Sequence, residues 1–113
     1  MVKHIVMWNL TDKDKVAENG AIMKQKLEAL VGVVPGLSSA QVGLGFNGFD
    51  VGVVPGLLRA EVGVGFNGYD VALYTELEDR AALAVYADHP AHCKVKEFVH
   101  SVICERVCCD YEV

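Results

Sequence analysis

Apolar and polar residues alternate from Val2 to Leu10, placing Val2, His4, Val6 and Trp8 on one side of an extended segment and Lys3, Ile5 and Met7 on the other. The pattern predicts a first strand with one buried face. Thr11-Asp12-Lys13-Asp14 supplies N-cap residues, after which Val16, Met23, Leu27, Leu30 and Val34 follow helical spacing up to Pro35-Gly36. This predicts a first helix ending at that Pro-Gly pair. Asp70–Leu77 reads as another strand, and Glu78-Asp79 opens a second helix through Leu83 and Tyr86 to about Asp88. His89-Pro90 restarts the helix, with Val95, Phe98, Val99 and Val102 continuing its apolar stripe, and Arg106–Val113 reads as the last strand.

Between these elements the chain repeats itself. Residues 31–50 read VGVVPGLSSAQVGLGFNGFD and residues 51–70 read VGVVPGLLRAEVGVGFNGYD, a direct tandem copy differing at five positions. Each copy alternates like a half-buried strand, on Ala40, Val42, Leu44 and Phe46 in the first and on Ala60, Val62, Val64 and Phe66 in the second. Nothing else repeats, so the chain reads as a 93-residue domain carrying a 20-residue insertion, of natural or engineered origin. Counted with one copy, the order is β-α-β-β-α-β, which predicts an α+β, ferredoxin-like domain with an antiparallel sheet and helices on one face. A single added strand breaks hairpin parity, so only one copy can fill the second strand position. The second copy is expected there, because Asn67-Gly68 is a local hairpin signal ahead of Tyr69-Asp70.

The 113 residues suit a single domain spanning 1–113, and 52% hydrophobic with 22% charged residues is enough to bury a core. A formal net charge of -5 with no basic run argues against nucleic acid as a partner. No apolar stretch is long enough to span a membrane, and the N-terminus lacks the features of a signal peptide, so a cytoplasmic protein is expected. Cys93, Cys104, Cys108 and Cys109 cluster in the last quarter, a poor disulfide framework, and are expected as reduced thiols. Cys108 and Cys109, adjacent on the last strand, face opposite sides and read as small buried residues. Arg106, Asp110 and Glu112 share the face of Cys108 and read as rim or interface charges.

Gly-x-Gly-x-x-Gly occurs in both copies, at Gly43, Gly45 and Gly48 and at Gly63, Gly65 and Gly68, but no helix follows the glycines to present its N-terminus to a pyrophosphate. A nucleotide site is therefore not expected, and no cofactor is implied. His89, His92 and Cys93 are close in sequence but lack the paired spacing of a zinc framework. His89 reads instead as the cap of the restarted helix.

Val2-Lys3-His4-Ile5-Val6-Met7-Trp8, the Val-Pro-Gly-Leu segment, Gly68-Tyr69-Asp70-Val71-Ala72-Leu73, Tyr86-Ala87-Asp88-His89-Pro90-Ala91-His92 and Cys109-Asp110-Tyr111-Glu112 together resemble the stress-responsive A/B barrel (Dabb) family. The resemblance implies a homodimer in which two sheets pack into a dimeric α+β barrel with an internal cavity. The family's plant members include boiling-stable stress proteins and a polyketide cyclase. The cyclase's strand-one histidine matches His4, and its Tyr-x-x-His-x-x-His segment matches Tyr86, His89 and His92, while a further cyclase histidine falls at Val71. By that resemblance the catalytic set is His92 as base, Tyr86 as oxyanion partner and His4 as an orienting or substrate-binding group. A neutral imidazole can take a proton from an acidic carbon, and a phenol can donate to the enolate oxygen that forms.

Similar proteins also carry a hard cation on backbone carbonyls at the end of helix one, matching Val31, Val34 and Leu37, with Val51, Val54 and Leu57 as a second set in the repeat. Three functional readings follow. The first is a barrel that binds a small apolar or aromatic molecule, with or without acid-base chemistry. The second is a non-catalytic stress-response or structural dimer, or a strand-duplication variant of one. The third, by fold analogy, is cofactor-independent oxygenation.

Overall fold

The computed structural model describes residues 1–31 and 54–113. Strand β1 (Val2–Leu10) leads through a short 3₁₀ turn (Lys13–Lys15) into helix α1 (Val16–Glu28). Strands β2 (Leu57–Val64) and β3 (Val71–Leu77) follow, then helices α2 (Arg80–Asp88) and α3 (Pro90–Val102), and strand β4 (Ile103–Glu112). The four strands form one antiparallel sheet in the order β2-β3-β1-β4, the ferredoxin-like arrangement that the element order predicts. The second repeat copy supplies β2, as expected. The first copy from Gly32 onward, including its expected strand, lies outside the described residues.

The period of two in β1 decides which face is covered. Val2, Val6, Trp8 and Leu10 are buried with Met23 and Leu27 of α1, Tyr86 of α2 and Val95 and Val99 of α3 in one core. Leu73 and Leu77 extend this core along β3, and Val62 along β2. The opposite sheet face carries Ile5, Met7, Tyr74, Val107 and Tyr111, paired across the strands, and no helix of the described residues lies over it. Among the described residues no helix is long and apolar enough to cross a membrane.

Several boundaries differ from the sequence pattern. Helix α1 ends at Glu28 rather than at Pro35, because the chain tightens there: Leu30 N–H donates to the Leu27 carbonyl and Val31 N–H to the Glu28 carbonyl, in i to i−3 bonds. Leu30 still enters the core, so it matches the helical stripe without being helical. Val34 and Pro35 lie outside the described residues. The β2 face also departs from strict alternation. Val62 is buried, but Val64 is exposed and Phe66 is 102% exposed, because pairing with β3 stops at Val64–Val71. Asn67-Gly68 sits in the connection that follows, where Gly68 adopts φ +91°. Strand β4 begins at Ile103, three residues before Arg106, since Ile103 pairs with Leu10 across a register shift.

Asp70 ties the strand ends together. Its backbone N–H donates to the Trp8 carbonyl at 3.0 Å, and its carboxylate accepts from Leu10 N–H at 2.9 Å and from Lys13 Nζ at 2.6 Å. The Lys13 ammonium, with the Leu10 N–H, holds the Asp70 carboxyl below its usual range.

Candidate functional site

Three elements bring His4, Tyr86 and His92 together. His4 belongs to the core-facing set of β1 and is 7% exposed. Asp79 caps α2 by accepting from Ala82 N–H at 2.8 Å, and Tyr86, near the end of that helix, turns into the core and is 1% exposed. His89 then adopts extended backbone at ψ 133°, and its Nδ1 accepts from Ala91 N–H at 3.1 Å. With Pro90 in the first turn of α3, this cap redirects the chain so that His92 comes back against Tyr86. His89 is thus the helix cap that its position before Pro90 predicts.

The Tyr86 and His92 rings stack with centroids 4.0 Å apart at 17°, and the His4 ring meets the Tyr86 ring edge-on at 5.8 Å and 71°. His92 Nδ1–H donates to the Tyr86 backbone carbonyl at 2.8 Å, which leaves Nε2 as the nitrogen with the free lone pair. Burial lowers the His92 pKa from 6.5 to about 4, so its imidazole is neutral at physiological pH. Burial also pushes the Tyr86 phenol well above its ordinary value, keeping it protonated. Its hydroxyl has no hydrogen-bond partner among the described residues. The three side chains line a small cavity of about 40 Å³ between sheet and helices, with Val6, Trp8 and Leu73 as its apolar floor and Lys96 and Arg106 among its lining residues.

A fourth residue completes the set. Asp110 lies directly opposite His4 in the β1–β4 register, and its Oδ1 accepts from His4 Nδ1–H. An ionised carboxylate only accepts, so the second His4 nitrogen, Nε2, keeps its lone pair. From sequence, Asp110 reads as a rim charge beside Cys108; its contact with His4 depends on a cross-strand register that one strand's pattern does not contain. Cys108 and Cys109 are both exposed, contrary to the expectation of buried side chains, because β4 is an edge strand with little packed against its outer half. Burial, followed by the neighbouring Asp110 carboxylate, raises the Cys108 thiol above its usual value, which disfavours a reactive thiolate.

Of the carbonyl set Val31, Val34 and Leu37, only Val31 falls within the described residues. It stands three residues beyond the end of α1 and bridges to Val54. In the second set, Val51 is outside the described residues, and Val54 and Leu57 lead into β2.

The family model for the stress responsive A/B barrel domain matches residues 2–54 and 47–113, and the chain belongs to this family. The two matches meet inside the repeated region, as an insertion there requires. Among curated proteins nothing matches the chain. Among solved structures, a dimeric ferredoxin-like protein of unknown function from Bacteroides fragilis is 24% identical, with TM-score 0.65 over 99% of this chain and 95% of its own. A Dabb family protein from Mesorhizobium loti is 19% identical, with TM-score 0.62 over 99% and 95%. An antibiotic biosynthesis monooxygenase is 12% identical, with TM-score 0.66 over 100% and 98%. At these identities the likeness is one of fold.

Proposed function

We propose that this chain is the subunit of a homodimeric α+β barrel whose Tyr86, His92 and His4–Asp110 group transfers a proton at the carbon next to a carbonyl, as in a cyclisation. The observation that carries this reading is the Tyr86 hydroxyl, buried, protonated and without a hydrogen-bond partner among the described residues, on a ring that touches the rings of both His4 and His92. His92 Nε2 accepts the proton, and Tyr86 O–H donates to the oxygen on which negative charge develops. Asp110 holds His4 in orientation. Lys96 and Arg106 add positive charge where an enolate or carboxylate would sit.

A cavity of about 40 Å³ holds a carbonyl-sized group and not a ring, so the substrate presents one polar end to it while its remainder stays outside. That same small volume is the observation favouring the alternative, a non-catalytic structural dimer. Dimerisation is supported by the uncovered sheet face with Ile5, Met7, Tyr74 and Val107, and by the B. fragilis relative being described as dimeric. The monooxygenase likeness adds no residue to this group.

The test is hydrogen–deuterium exchange at the α-carbon of small 1,3-dicarbonyl compounds in D₂O, followed by NMR, with protein whose mass is first checked by light scattering. The expected result is a dimer that accelerates exchange, with His92→Gln and Tyr86→Phe each slowing it by roughly 10²-fold or more. A dimer giving no acceleration over buffer overturns the catalytic reading and leaves the structural one. A monomer overturns both.

A further inference from the structure

On the β4 side of His4, three different ligand atoms converge. His4 Nδ1, Cys108 Sγ and Asp110 Oδ1 all lie within 4.8 Å of one another. The sheet builds this cluster: His4 opposes Asp110, and Cys108, two residues earlier on β4, projects from the same face. Cys108 Sγ stands 3.7 Å from His4 Nδ1 and 3.7 Å from Asp110 Oδ1. With Zn–S near 2.3 Å and Zn–N and Zn–O near 2.0–2.2 Å, ligand atoms around a tetrahedral zinc ion are separated by roughly 3.3–3.6 Å. Two edges of that figure are therefore nearly in place. The third opens when Asp110, exposed on an edge strand, swings away from its hydrogen bond with His4.

We propose that this chain binds a zinc-class divalent ion through His4, Cys108 and Asp110, with a fourth coordination position open to water or a small ligand. Imidazole, thiolate and carboxylate together suit zinc or cobalt, whereas magnesium and calcium prefer all-oxygen sites. Three protein ligands and one open position is the composition of a reactive zinc site rather than a closed structural one. An open groove of about 330 Å³, lined by Arg80, Asp110 and Glu112, reaches the cluster at Asp110. On binding, the His4 proton moves from Nδ1 to Nε2, the Cys108 thiol loses its proton to solvent, and the ion bonds to Nδ1, Sγ and Oδ1. The site shares His4 and Asp110 with the proposed proton-transfer group and competes with it, since its occupancy removes the hydrogen bond between Asp110 and His4, while His92 and Tyr86 take no part in binding the ion.

Cobalt(II) titration of the reduced full chain tests the site, read by the near-ultraviolet thiolate-to-cobalt charge-transfer band. The expected result is a band saturating at one ion per chain, displaced by zinc and unaffected by excess magnesium. Cys108→Ala abolishes it, while Cys109→Ala, on the opposite sheet face, retains it. Asp110→Asn keeps the side-chain shape and weakens cobalt binding by at least the ~10-fold that loss of even an outer-shell partner costs. Far-UV circular dichroism establishes that the variants are folded. Absence of the band in the wild-type chain overturns the proposal, as does its survival in Cys108→Ala or unchanged affinity in Asp110→Asn.

Discussion

A buried hydroxyl without a partner works against folding, and among the described residues Tyr86 has none for its hydroxyl in the candidate site. Tyr86→Phe removes the desolvated oxygen and keeps the ring that packs on His92. Its unfolding free energy in urea is expected to match the wild type or exceed it by about 1 kcal/mol, while carbon-acid exchange is lost. A variant destabilised by the change would mean that the hydroxyl has a partner in solution. His92 gives a second test, through pH. Its pKa is lowered from 6.5 to about 4 by burial, so between those values the unfolded chain takes up the proton more readily than the folded one. Stability is unaffected above the unfolded value and declines as pH falls toward 4. After discounting for the ring's partial exposure, the decline from this group is on the order of 1 kcal/mol. His92→Gln flattens that part of the curve in denaturant titrations run at successive pH values. Tyr86 and His92 entered the sequence reading through the family resemblance of the Tyr86–His92 segment, and the structure brings their rings into contact. The contact of Asp110 with His4 was not legible, because it arises from a strand paired with β1 across more than a hundred residues of chain.

At the level of elements, the helix pair α2–α3 was the most readable part of the chain, since its punctuation is chemical. Asp79 caps one helix, and His89 with Pro90 ends it and starts the next. Asp79→Ala removes the acceptor for Ala82 N–H and is expected to cost about 1 kcal/mol in chemical denaturation. Because α2 carries Tyr86, the same substitution should lower exchange activity by loosening the Tyr86–His92 stack. The end of α1 was less readable, because burial and helicity separate there. Leu30 satisfies the apolar stripe, yet backbone bonding has already tightened, with Leu30 N–H paired to Leu27. Glu28 marks the change. Its carboxylate accepts from Lys24 Nζ at 2.7 Å and from Val62 N–H at 2.9 Å, joining the last turn of α1 to β2. Burial acts to raise the Glu28 carboxyl, but these two donors outweigh it and hold it below its ordinary value. A stripe of apolar residues does not reveal a carboxylate that anchors a helix end to a strand.

For the whole molecule, the question raised by the duplication is how a ferredoxin-like sheet keeps its parity with one extra copy. The answer lies at Leu30 and Val54. Val54 N–H donates to the Leu30 carbonyl at 3.0 Å, and Val31 bridges to Val54, so the chain leaves α1 and returns to β2 at one place. Both copies begin VGVVPGL, so deleting residues 31–50 joins Leu30 to an identical sequence and puts Val54 four places after it. The Leu30–Val54 hydrogen bond then spans four residues, the i to i−4 separation of a single turn, and β2 is expected to enter the sheet from the same point. The path into β2 therefore starts beside the end of α1. Closing a loop of the 20 residues of one copy costs on the order of 2–3 kcal/mol of chain entropy. The 93-residue deletion chain is expected to keep the ferredoxin-like sheet and the Tyr86–His92 stack, and to unfold at higher urea concentration by about that free energy. A deletion chain less stable than the parent would show that residues 31–50 contribute more to the folded state than their closure costs.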